Sequence, residues 1–155
     1  FHSPKNHIAT QVAHIIEALD GPYIGIHLRQ ITPNARWVKT CAKTFPLQQT
    51  LTQILWEHHH PNCSVIEHEI IRARLKTTRI YIASDSKSKP HANSLKGCKN
   101  LNVIVSNNSP AVDMLVLSQS SLFLGNEGST LSEHVLMARS PRPSNLLWWM
   151  HSCYW

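Results

Sequence analysis

Charge is scarce in this chain. Only 15% of its 155 residues are Asp, Glu, Lys or Arg, although the formal balance is +6. A basic balance admits an anionic ligand or a nucleic acid. There is no run of five or six Lys/Arg, however, and no interleaving of basic with aromatic residues, so a nucleic-acid partner would rest on net charge alone. The densest basic group, Arg72, Arg74, Lys76 and Arg79, reads as a solvated helix face. No apolar run approaches the roughly 18 residues of a membrane span, so no span is expected. No signal peptide is visible at the start. The four cysteines, Cys41, Cys63, Cys98 and Cys153, form no C-x-x-C pair, and the three possible pairings stay open. Internal repeats and low-complexity tracts are also absent. What remains is 42% hydrophobic content, ordinary for a globular protein and sufficient at this length for one domain with a core. Asn62-Cys63-Ser64 and Asn107-Asn108-Ser109 are sequons that matter only in a secretory compartment, and Pro110 weakens the second.

Apolar residues at Ile8, Val12, Ile15, Ile16 and Leu19 recur at helical spacing, so residues 4–19 read as an amphipathic helix, stopped by Asp20-Gly21-Pro22. Tyr23 to Leu28 reads as a buried strand. Trp37 to Lys43 reads as a short helix, residues 45–63 are ambiguous, and Val65 to Lys76 reads as a helix with Ile66, Ile70 and Leu75 inward. Strands are expected at Arg79–Ser84, Leu101–Val105 and Ser121–Leu124, and helices at 90–97, Ala111–Ser118 and Thr130–Ala138. Such alternation argues for a parallel sheet with right-handed crossovers. The tail from Leu146 shows no periodicity.

Two stretches carry chemistry. In the first, an apolar strand ends in His27-Leu28-Arg29. Alternation puts His27 and Arg29 on one face, and ligands of open α/β sheets bind at strand carboxyl ends. An arginine there can meet phosphate, because its planar fork donates paired bonds and stays charged. In the second, a strand runs into Gly125-Asn-Glu-Gly-Ser129-Thr130-Leu131-Ser132, a helix start. Thr130 to Glu133 matches a capping box, with Thr130 as the cap. A helix start is also an anion site, to which Ser129 and Thr130 can add hydroxyls. Asp113 lies among Met114, Leu115 and Leu117, where a carboxylate is costly unless paired. It could accept from the adjacent N–H donors of a guanine edge, or act as a first-turn acid favouring the helix dipole. Asp85, after the second strand, reads as a turn or cap residue. His58, His59 and His60 with Cys63 and His68 fit no standard zinc spacing, so an exposed loop is expected there and no metal.

Taken in order, these segments resemble the GDP-fucose protein O-fucosyltransferases that act on Ser/Thr of EGF-like repeats. Pro22-Tyr-Ile-Gly-Ile-His27-Leu28-Arg29 resembles the family's PYxGIHLR, and Trp37 to Cys41 its WxxxC. Tyr81 to Ser86 resembles VxVATDS, Val112-Asp113 with Phe123 to Leu131 resembles VDxxIxxxADxFIGNxxSSF, and Ser140 to Ser144 resembles GRPS. The resemblance implies the C-terminal, donor-binding domain of a GT-B enzyme: a Rossmann-like domain over residues 1–146, a divergent tail over 147–155, and the N-terminal GT-B domain absent. It implies inverting transfer of fucose from GDP-fucose to EGF-like repeat proteins such as Notch-type receptors. It also implies an endoplasmic reticulum lumen location, although no retention signal is visible, and no essential metal, consistent with the absence of Asp-x-Asp.

By the same resemblance Arg29 is the catalytic cation on the β-phosphate, and His27 and Leu28 flank it. Asp113 meets guanine, and Ser129, Thr130 and Leu131 line the nucleotide. Departures are Arg36 for the family's acid, Leu131 for its phenylalanine, and Glu127 for a cysteine, so that one family disulfide cannot form. A catalytically inactive GDP-sugar-binding module is the alternative function.

Overall fold

Residues of alternating direction along each strand divide the interior into two cores, one on either face of a sheet. A computed structural model describes residues 4–29, 61–126, 129–139 and 145–147. In chain order the elements are α1 (Pro4–Leu19), β1 (Ile24–Leu28), α2 (Cys63–Arg72), β2 (Arg79–Ser84), α3 (Lys89–Ser94) with a 3-10 turn (Leu95–Gly97), β3 (Asn102–Val105), α4 (Pro110–Gln119), β4 (Leu122–Gly125), α5 (Thr130–Arg139) and β5 (Asn145–Leu147). The strands form one parallel sheet in the order β3-β2-β1-β4-β5. The expected α/β class, a parallel sheet with flanking helices, is what the chain adopts. The expected helix at Trp37–Lys43, most of the ambiguous 45–63 stretch, the His58–His60 cluster, Ser140–Ser144, Cys41 and Cys153 lie outside the described residues.

On one face Ile24, Ile26 and Leu28 of β1 and Ile80 and Ile82 of β2 pack against Ile66 and Ile70 of α2. On the other, Tyr23, Tyr81 and Phe123 pack against Val12 of α1, Val116 and Leu117 of α4 and Val135 of α5. All five residues of β1 are buried, as a central parallel strand covered on both faces must be. Each fully buried Ile or Leu contributes roughly 1.5–3 kcal/mol over an exposed one. Gly25 lets α4 come down on the sheet: a Cβ there would lie 2.8 Å from Ser120 Oγ and 2.9 Å from Leu117 Cδ2.

Local chemistry sets the element ends. α1 stops where Asp20 takes a left-handed conformation, φ 49°, ahead of Gly21. α2 begins at Asn62, whose side chain accepts the Val65 N–H at 3.0 Å. It ends four residues before the expected Lys76. Arg74 turns left-handed at φ 54°, and the Arg74 and Leu75 N–H groups donate back to Ile71 and Ile70. This is a Schellman stop with Leu75 folded onto the core, as such stops favour. Leu75 is therefore inward as expected, but beyond the helix.

Arg139, 1% exposed, anchors the end of α5. Its Nη1 donates to the carbonyls of Leu117, Ser118 and Ser120 and to Ser120 Oγ. A buried cation thus meets the carbonyl end of α4, where the helix dipole favours it. Cys63 and Cys98 form a disulfide, 35 residues apart in sequence, between α2 and the approach to β3. Closing a loop of that length stabilises by roughly 3–4 kcal/mol in the chain-entropy account. It also removes Cys63 from any thiolate ligand set with His68. β5 was not legible: Asn145–Leu147 pairs only with β4, within a segment that has no sequence periodicity.

Candidate functional site

β1 is the third strand of five. The chain moves outward from it through β2 and β3 on one side, then returns to lay β4 and β5 on the other. This reversal makes the carboxyl ends of β1 and β4 a topological switch point, where open α/β sheets leave a crevice. Arg29 follows β1 at this point and is exposed. Asn126 follows β4 and is fully buried. Its Nδ2 donates to the Arg29 carbonyl at 2.8 Å, so one amide joins the two strand ends. Asn126 Oδ1 is buried, with no partner among the described residues.

His27 lies one residue back along β1, 5% exposed. Its Nδ1 is 2.8 Å from Ser132 Oγ and 3.3 Å from Ser129 Oγ, both at the start of α5. Ser132 Oγ also accepts the Asn126 backbone N–H at 3.1 Å. Burial, and after it the nearby Arg29 charge, pushes His27 down from 6.5 to about 4, with Asp85 opposing. The imidazole is neutral at pH 7.

The expected capping box at Thr130 does not form. The Ser129 carbonyl accepts the Glu133 N–H at 3.0 Å, and that makes Ser129 the cap residue. Thr130 is the first residue of α5 and is exposed. The shift has a tertiary cause: Ser129 is fully buried and its hydroxyl is drawn to His27. Leu131 is half-buried against the second core. Leu28 is placed otherwise than a ligand-lining side chain requires. It is 0% exposed in the core on the opposite face of the sheet, because odd and even residues of a strand point apart. Only its backbone reaches the site edge, where its carbonyl accepts the Asp85 N–H. Asp85 is the turn residue expected, its Oδ1 accepting the Ser88 N–H at 2.7 Å.

Asp113 sits in the first turn of α4 and is 7% exposed. Its Oδ1 accepts from Tyr81 Oη at 2.7 Å and from the Ser106 hydroxyl. Asn108 Nδ2 donates to Tyr81 Oη at 3.1 Å, and Gln11 of α1 holds Asn108 through its Oδ1 at 2.9 Å. Lys89 Nζ donates to the Ser106 carbonyl. Burial raises the Asp113 carboxyl above its ordinary value, while the two hydroxyls and Lys89 oppose that rise. The first-turn reading of Asp113 holds, and the carboxylate is buried and paired with Tyr81 and Ser106.

Sequence reasoning missed Tyr81, Ser106, Asn108, Asn126 and Ser132. Tyr81 alternates with Ile80 and Ile82 in a strand reading and so passed for core. Ser132 stood inside the helix-start motif without a role.

Chemically, the switch point offers an exposed guanidinium, a neutral imidazole and a helix start, which together suit an anion. Asp113 adds a carboxylate acceptor at the end of β3. Among the described residues no group of three His, Cys, Asp or Glu could hold a metal ion, and no helix is long and apolar enough to cross a membrane.

A family model for GDP-fucose protein O-fucosyltransferase matches residues 5–141. No curated protein matches the chain in sequence. Among solved structures, POFUT1 in complex with GDP is similar at TM-score 0.56 and 20% identity, over 90% of this chain and 46% of that one. POFUT1 in complex with GDP-fucose is similar at TM-score 0.56 and 21% identity, over 90% of this chain and 44% of that one. At such identity the likeness speaks for the fold. The chain spans a little under half the length of these solved relatives.

Proposed function

The chain belongs to the GDP-fucose protein O-fucosyltransferase family, and on that premise we propose that it is the donor-binding half of a peptide-O-fucosyltransferase. One observation carries the reading: an exposed Arg29 at the β1–β4 switch point, beside the start of α5. Arg29 takes the β-phosphate of GDP-fucose and neutralises the charge that grows on it, a preorganised stabilisation of the kind that dominates many rate enhancements. His27 flanks the diphosphate as a neutral donor. Ser129, Thr130 and Leu131 form the wall at the helix start, and Leu28 contributes backbone only. Asp113 accepts from the guanine edge. Its carboxylate is held by Tyr81 of β2, the strand beside β1, and by Ser106 just past β3, along the same strand carboxyl edge as Arg29.

The reaction is an inverting transfer. The acceptor Ser/Thr oxygen forms a bond to the anomeric carbon, the bond from that carbon to the phosphate oxygen breaks, GDP departs, and the hydroxyl proton is lost. With Arg29 carrying the leaving-group charge, no essential metal is called for. EGF-like repeats, as in Notch-type receptors, are the acceptor class that the family resemblance suggests. The Cys63–Cys98 disulfide supports an oxidising compartment such as the endoplasmic reticulum lumen. Because the chain spans under half the length of its solved relatives, a second reading holds for it in isolation: a GDP-sugar-binding module without turnover.

Calorimetry with GDP tests the first reading. Arg29→Ala weakens binding roughly 10- to 100-fold, the loss of one charge-assisted contact, with circular dichroism unchanged. Equal affinity in the folded variant overturns the assignment. Incubation with labelled GDP-fucose and a folded EGF-like repeat separates the two readings, since transfer by this chain alone excludes the module.

A further inference from the structure

We propose that Ser132 is a positioning residue that locks His27 in the tautomer carrying its proton on Nε2, the nitrogen left for the donor diphosphate. The proposal rests on the reading of the switch point as a diphosphate site, and deepens it.

Hydrogen-bond direction fixes the tautomer. Ser132 Oγ has two close partners, the Asn126 backbone nitrogen at 3.1 Å and His27 Nδ1 at 2.8 Å. A backbone N–H can only donate, so Oγ is the acceptor in the first bond. Ser132 is fully buried, and its own proton therefore needs an acceptor. Among the described residues, His27 Nδ1 is the acceptor within reach. The relay runs from Asn126 N–H to Ser132 Oγ–H to Nδ1. A nitrogen that accepts carries no proton, so a neutral ring holds its proton on Nε2.

The opposite tautomer would point Nδ1–H at the two serine oxygens and strand the Ser132 proton in a dry site, a costly arrangement. Burial and the Arg29 charge keep a second proton off the ring. Ser129 Oγ, at 3.3 Å, lies farther from the same nitrogen and does not change the direction. Nε2 itself has no protein partner among the described residues, and it is not among the buried atoms sealed from solvent.

The consequence for binding is specific. The locked tautomer presents an N–H to a phosphate oxygen, whereas the other would present a lone pair to it. Asn126 ties this choice to the cation, because its backbone N–H starts the relay and its Nδ2 holds the Arg29 carbonyl. Both groups at the end of β1 are thus set from the end of β4.

The test reads the ring directly. Long-range proton–nitrogen correlation spectra of the full chain, labelled in histidine, are recorded at pH 7, and His27 is identified by its loss in His27→Gln. An Nε2–H pattern is expected, and an Nδ1–H pattern or an even mixture overturns the proposal. In Ser132→Ala the tautomers mix and GDP binds about fivefold more weakly, the scale of one neutral hydrogen bond. Ser132→Thr, which keeps a hydroxyl, retains the Nε2–H pattern. An unchanged tautomer in folded Ser132→Ala also overturns the proposal. If that variant does not fold, the wild-type and Ser132→Thr spectra still decide. Failure of the wild-type chain to bind GDP would instead overturn the functional reading, and the ring spectrum would remain decisive for the tautomer.

Discussion

Acid should destabilise this chain through His27 in a way that can be isolated. The native ring is held neutral, its pKa lowered from 6.5 to about 4 by burial and by Arg29. In the unfolded chain the ring titrates near 6.5. Between those values the unfolded state binds a proton that the native state refuses, so stability rises with pH. The contribution is complete above pH 6.5 and is lost as pH falls toward 4. At 1.36 kcal/mol per pH unit it amounts to about 1 kcal/mol lost by pH 5.5 and about 2–3 kcal/mol lost by pH 4.5. Ten further histidines and nine carboxylates also titrate, so the quantity to read is a difference. Urea unfolding is measured from pH 7.5 to 4.5 for the wild-type chain and for His27→Gln, which keeps a polar side chain that does not titrate. The stability advantage of the wild type shrinks by about 2–3 kcal/mol over that range. Parallel profiles would refute the buried neutral imidazole, and with it the electrostatic account of the switch point.

Asp113→Ala should bring the affinities for GDP and ADP together, because a carboxylate accepts from guanine's paired N–H groups and offers adenine nothing comparable. Competition binding measures the ratio, and an unchanged ratio would reduce Asp113 to a first-turn acid held by Tyr81 and Ser106. Arg139→Met should cost about 2–4 kcal/mol, since the Ser118 and Ser120 carbonyls lose the donor that joins them to α5. In a domain of this size that lowers Tm by about 2–4 °C per kcal/mol, and an unshifted melting curve would contradict the anchoring role.

The parts legible in the sequence were those whose signal is periodic and local. β1 was visible because an apolar run from Tyr23 ends in His27-Leu28-Arg29, and α1 because its apolar residues recur at helical spacing before Asp20-Gly21-Pro22. The pairing of His27 with Arg29 on one face followed from strand geometry alone. The missing parts depend on contacts made across the chain. The hydroxyl of Tyr81 meets a carboxylate 32 residues away, and Ser132 meets His27 across 105. No window of sequence reports either. The capping box failed for the same reason: locally Thr130 is a good cap, but a distant imidazole draws the hydroxyl of Ser129 and sets the helix start one residue earlier. Leu28 entered through the family resemblance, while strand alternation puts its side chain on the face opposite His27 and Arg29.

The strand order also governs how the chain behaves as it is synthesised. β1 is the first of the five described strands to be made, yet it has neighbours on both edges, and β4 follows 94 positions later, from Leu28 to Leu122. At a translation rate of about 5–20 residues per second, that delay is about 5–20 s. Throughout it a strand of five core residues has an open edge, which is the surface that invites pairing with another chain. The middle of the finished sheet is therefore the nascent chain's most vulnerable segment, and the cell's holding factors have their strongest call on Ile24–Leu28 in the interval before β4 emerges.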